Sequence, residues 1–72
     1  MAVANKMELG RELMRTIAQI NRQIEAVEKG ADELHCKVFE LRDASGNYIL
    51  APLLSAKAMS LHALAIINQK DR

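Results

Sequence analysis

His35, Cys36 and His62 are the only soft metal ligands in the 72-residue chain, and Cys36 is its only cysteine. On a helix the adjacent side chains of His35 and Cys36 diverge by about 100°. Three such ligands also fall short of the four that a structural zinc site wants. A Cys–His nucleophile pair would need a third, orienting group and a cleft to work in. The sequence offers neither, so no catalytic residue, no metal and no cofactor is expected. The plain reading is a solvent-facing thiol beside a boundary histidine. One thiol allows no internal disulfide and fits a reducing, cytoplasmic compartment.

Two basic groupings remain. Arg11, Arg15, Arg22 and Lys29 recur along one side of the first half of the chain, as phosphate-contacting residues would. Glu8, Glu12, Glu25 and Glu28 alternate with them, which favours a solvated, self-compensating face. Arg42, Tyr48 and Lys57 cluster by sequence around a turn. An aromatic ring beside two cations can stack a base and hold a phosphate. The plain alternative is that Tyr48 covers one end of the fold while both cations stay in water. These three are the candidate ligand contacts.

The elements that would position these groups are helical. Leu13, Ile17, Ile20, Ile24, Val27, Ala31, Leu34, Val38 and Leu41 step along the chain in alternating fours and threes, a heptad seam that faces a partner helix. Asn5 with Glu8 reads as a capping box, and Ala4 with Leu9 as its hydrophobic staple. The first helix is expected to run from there to about Arg42. Glu25 with Lys29, and Glu33 with Lys37, would pair along its outer face. Gly30 is either a bend or a place of close approach.

Asp43 to Asn47 form the one clear turn. Pro52, tolerated in a first turn, opens a second helix to about Gln69. That helix carries two thin polar strips, Ser55 with His62 and Lys57 with Ser60. Between them lie two apolar faces, one of Leu54, Ala58, Leu61 and Ala65, the other of Ala56, Met59, Ala63 and Ile67. A helix apolar on two sides is buried on two sides.

The fold class is therefore all-α: residues 1–72 form a single two-helix antiparallel hairpin that assembles into a homo-oligomeric bundle. Ile17, Ile24, Leu54, Leu61, Ala63 and Ile67 are the expected oligomer contacts. The competing reading is α-β-β-α, with a short hairpin of strands at 38–50 and Gly30 capping the first helix.

Composition supports this frame. Half the residues are apolar, yet only Phe39 and Tyr48 are aromatic, so the core is aliphatic. A chain this short seldom gains more than ~3–5 kcal/mol from one core. With disulfides and zinc excluded, oligomerisation is the remaining source of stability. Ten basic and nine acidic residues, net +1, argue against a dedicated surface for nucleic acid or an anionic membrane. No secretory h-region is visible in Met1 to Met7. Ile49 to Ile67 is long and apolar enough to span a bilayer. Lys57 at its centre would cost ~2.5–3.5 kcal/mol there, and a buried bundle helix explains the same run.

Beyond these patterns the chain resembles the phage anti-CBASS nucleotide sponges, a family of small oligomeric helical proteins. The likeness covers about Val27 to Asn68. It rests on Val27-Glu28-Lys29-Gly30, on Leu34, Val38 and Leu41, on the Asp-containing turn with Tyr48, and on Leu50-Ala51 and Leu61-His62-Ala63-Leu64-Ala65-Ile66. The family's aromatic is usually tryptophan, followed by a basic-plus-threonine pair; here stand Tyr48 and then Leu53, Leu54 and Ser55. The resemblance implies a phage-encoded, non-enzymatic protein that sequesters a cyclic nucleotide to counter host defence. The alternative is a protein-interaction module, an inhibitor or adaptor that lays its helices on a protein target. A DNA-binding regulator ranks third.

Overall fold

The computed structural model describes residues 5–69. It consists of α1 (Lys6–Glu33) and α2 (Leu50–Ile67), joined by a connection that contains one 3-10 turn, Val38–Glu40. The fold is an all-α helical hairpin, with no named strand among the described residues. Its helices are antiparallel: a Cβ built on Gly10, near the start of α1, lies 4.0 Å from Leu64 near the end of α2. The molecule is a rod of 50 × 21 × 18 Å.

Asn5 caps α1. Its Oδ1 accepts the backbone N–H of Met7 at 2.9 Å and of Glu8 at 3.3 Å, filling two of the donors that a helix start leaves open. Ala4, half of the expected staple, lies outside the described residues. The heptad seam then faces α2. Ile20 and Ala31 are buried, and Leu13, Ile17, Ile24 and Val27 are half-buried.

The seam does not continue to Leu41, and α1 does not reach Arg42. It ends at Glu33, and Leu34 is 67% exposed. The stop is a Schellman motif. The His35 N–H donates to the Asp32 carbonyl at 3.1 Å and the Cys36 N–H to the Ala31 carbonyl at 3.0 Å. His35 holds the left-handed conformation, φ 56°, that glycine usually supplies at this position. Histidine is among the few other residues that visit it with some frequency. The motif closes over Ala31, at 1% exposure the most buried core residue among those described.

Ending α1 here has a packing reason. It lets α2 reach back as far as Gly10 and cover the seam from Leu13 to Ala31. A helix carried on to Arg42 would leave the lower third of that seam uncovered within the chain. Gly30 does not cap α1; it sits inside the helix, and a Cβ there meets nothing within 4 Å. His35, Cys36 and Lys37 are consequently not helical, so the expected helix positions of the first two and the Glu33–Lys37 pair do not exist. The Lys37 ammonium lies 5.8 Å from the Phe39 ring centroid instead.

The strand alternative reduces to one antiparallel bridge, Arg42 to Tyr48. It is tied by Asp43 N–H to the Asn47 carbonyl at 2.9 Å and Ile49 N–H to the Leu41 carbonyl at 3.2 Å. Isolated pairs of this length do not extend into a sheet without further strands.

α2 begins without a side-chain cap. Pro52 is its third residue, where the missing N–H has no helical acceptor in any case. Leu50, Leu53, Ala56, Lys57, Ser60, Ala63, Leu64 and Ile67 are half-buried on the α1 side. Leu54, Ala58, Leu61 and Ala65 are all exposed, as is Met59. No large side chain among the described residues is fully buried.

Candidate ligand site at the hairpin end

The connection places a cation against an aromatic ring. Arg42 and Tyr48 are the bridged pair, and the two hydrogen bonds flank them rather than joining them. In this kind of antiparallel pair the side chains approach most closely, with Cα atoms about 4.5 Å apart. The Arg42 guanidinium carbon lies 4.4 Å from the Tyr48 ring centroid, and Nη2 donates to the Tyr48 hydroxyl. A cation over a ring at this range contributes ~0.5–1 kcal/mol at exposed sites. Tyr48 remains 47% exposed. One ring face holds its own arginine.

Asp43 builds the turn beneath this pair. Its Oδ1 accepts the N–H of Ser45 and of Asn47, each at 2.9 Å, and Asn47 Nδ2 donates to Oδ2 at 3.4 Å. Gly46, φ 86°, takes a backbone conformation that other residues resist. The Asn47 backbone bond, foremost among several from the turn, holds the Asp43 carboxyl below its ordinary value. The turn was legible as Asp-Ala-Ser-Gly-Asn; the organising role of one carboxylate was not.

Lys57 stands seven residues into α2, about 10 Å along its axis from the first helical residue. It is half-buried on the side toward α1. The structure brings Arg42 and Tyr48 together and gives Lys57 no contact with either. Of the expected oligomer contacts, Ile17, Ile24, Ala63 and Ile67 are half-buried, whereas Leu54 and Leu61 are 48% and 46% exposed.

The basic stripe on α1 is a solvated face. Arg15 pairs with Glu12 at 2.7 Å with both side chains mostly exposed, and a shallow polar groove runs past Glu8, Arg11, Glu12 and Arg15. Exposed pairs of this kind contribute little. His35 and Cys36 stay adjacent in the connection, with Cys36 half-buried. Among the described residues no three His, Cys, Asp or Glu side chains gather as a metal site would need. α2, with mean hydropathy 1.6, is the one described helix long and apolar enough to cross a membrane. Comparison with family models, curated proteins and solved structures returns no match.

Proposed function

We propose that this chain is a small, non-enzymatic binding protein that works as a homo-oligomer in the cytoplasm, with Arg42 and Tyr48 as its ligand contacts. The observation that carries the reading is the guanidinium held 4.4 Å over the Tyr48 ring at an exposed hairpin end. A preset cation and an exposed ring suit a ligand that combines a phosphate with a base. The likeness to the phage sponges supplies the class: a cyclic nucleotide, sequestered to blunt a host defence signal. Lys57 belongs to the site only if assembly brings it from another subunit, because within one chain it lies apart from the pair.

Calorimetry with cyclic di- and trinucleotides tests this. Tyr48→Ala is expected to lose the stacking of ~1–3 kcal/mol, and Arg42→Ala to lower the salt dependence of binding; Lys57→Ala should do the same only where assembly brings Lys57 from another subunit. Absence of heat with every cyclic nucleotide would leave the second reading, a protein-interaction module. That reading draws on the apolar side chains at the same end, Leu34 at 67% and Phe39 at 60% exposure. Such a patch fits a protein target better than a nucleotide.

A further inference from the structure

α2 faces α1 with a mainly apolar side and turns a second apolar row to water. Lys57 and Ser60 are half-buried toward α1, while Leu54, Ala58, Leu61 and Ala65 are exposed. A helix with one neighbour and an outer side meant for solvent needs only the apolar side toward that neighbour. The outward face also has an order: large, small, large, small, at spacings of four, three and four residues. Two parallel copies in register set leucine against leucine and alanine against alanine, crowding one layer and leaving a gap in the next. Two antiparallel copies, related by a two-fold axis between residues 59 and 60, set Leu54 against Ala65 of the second copy. They also set Ala58 against its Leu61, so each large side chain meets a small one. The same rotation puts Ser55 and His62 of the second copy on one flank, about 3 Å apart along the axis, a hydroxyl near an imidazole, either of which can donate or accept.

The surface available matches. The chain exposes 6100 Å², whereas a compact monomer of its mass exposes roughly 4,500 Å². The surplus exceeds the ~800 Å² per partner that a standard interface buries. We infer that α2 pairs antiparallel with α2 of a second copy of this chain, through the face of Leu54, Ala58, Leu61 and Ala65. The pairing is isologous, each contact occurring twice, and gives layers in the order α1, α2, α2, α1. It rests on the homo-oligomer reading above and specifies its interface and register.

A size swap measured by sedimentation equilibrium tests it, with circular dichroism to verify that each variant keeps its helices. Ala58→Leu sets leucine against leucine and is expected to weaken self-association about tenfold or more, as is Leu61→Ala, which opens a gap. The double variant Ala58→Leu/Leu61→Ala restores large against small and should return to within about threefold of the native chain. Disulfide trapping needs no change in stability. In a Cys36→Ser background, a Leu54→Cys chain mixed with an Ala65→Cys chain is expected to form the mixed disulfide in preference to either like pair, because like positions lie about 16 Å apart along the axis. A native chain that sediments as an 8.0 kDa monomer overturns both this inference and the homo-oligomer reading. So does one that floats with phosphatidylcholine vesicles as single chains. An oligomer in which the double variant binds no better than the single ones, or in which two Leu54→Cys chains cross-link to each other, overturns the antiparallel pairing alone.

Discussion

α1 and α2 divide their side chains between neighbour and water in opposite ways. α1 turns its main apolar stripe to α2 and shows solvent a face mostly of glutamates, glutamines and arginines, with Met7, Leu9 and Met14 exposed near its start. α2 has no comparable polar face: its half-buried side includes Lys57 and Ser60, and its exposed side carries Leu54, Met59, Leu61 and Ile66. One helix is finished by its intramolecular neighbour and the other is not. Apolar residues spread around a helix measure how many neighbours it needs, and α2 has one within the chain.

The sharpest way to break this contrast is to place a charge on each outer face. Leu61→Asp on α2 is expected to cost about 3–5 kcal/mol and to abolish self-association, because it leaves an unpaired charge in an apolar interface. Met14→Asp on α1, at a residue 63% exposed, should stay within about 0.5 kcal/mol. Thermal melts of both variants at equal concentration make the comparison. Equal, small effects would mean that the α2 face is as solvated as that of α1.

Next in size is the seam that joins the helices. Ile20→Ala removes a side chain 7% exposed and is expected to destabilise by roughly 2–4 kcal/mol in urea titration. It should do so through the hairpin itself, lowering the stability of the assembled chain without abolishing self-association.

Smaller effects probe where α1 ends. Gly30→Ala adds a Cβ into open space inside a helix and should stabilise by up to about 1 kcal/mol. His35→Gly relieves a left-handed residue and should stabilise by roughly 0.5–1 kcal/mol. A helix continuing past Glu33 would give the opposite sign at position 35, since glycine would then interrupt it.

The smallest concerns the turn. The Asp43 carboxyl is held below its ordinary 3.8, so it is the charged form that the folded turn favours. Its contribution is present above the unfolded value and is lost as pH falls through the lowered folded one. Amide signals of Ser45 and Asn47 should therefore titrate together with a midpoint below 3.8. A midpoint at or above the ordinary value would mean that the carboxylate does not hold the turn.

The sequence spoke clearly where a periodic pattern met a strong local signal. Asn5 as a cap, the seam from Leu13 to Ala31, the turn at Asp43–Asn47 and Pro52 in a first turn are all where residue type and spacing put them. The end of α1 was not legible, because Leu34, Val38 and Leu41 keep the heptad spacing after the helix has stopped. What stops it is a pair of backbone hydrogen bonds closing over Ala31, formed by a histidine where glycine would have announced the turn. At the candidate site the pairing of Arg42 with Tyr48 was visible only as proximity in sequence; the bridge that stacks them is tertiary. Lys57 was grouped with them by the same proximity, but the helix carries it away.

α2's outer face is either covered by another copy of the chain or left in water. Sedimentation equilibrium of the native protein at micromolar concentration, read alongside its helix content, tests this most directly. The prediction is a helical species at a multiple of 8.0 kDa, losing mass and helix together on dilution. A stably helical 8.0 kDa monomer with a melting temperature independent of concentration would contradict it.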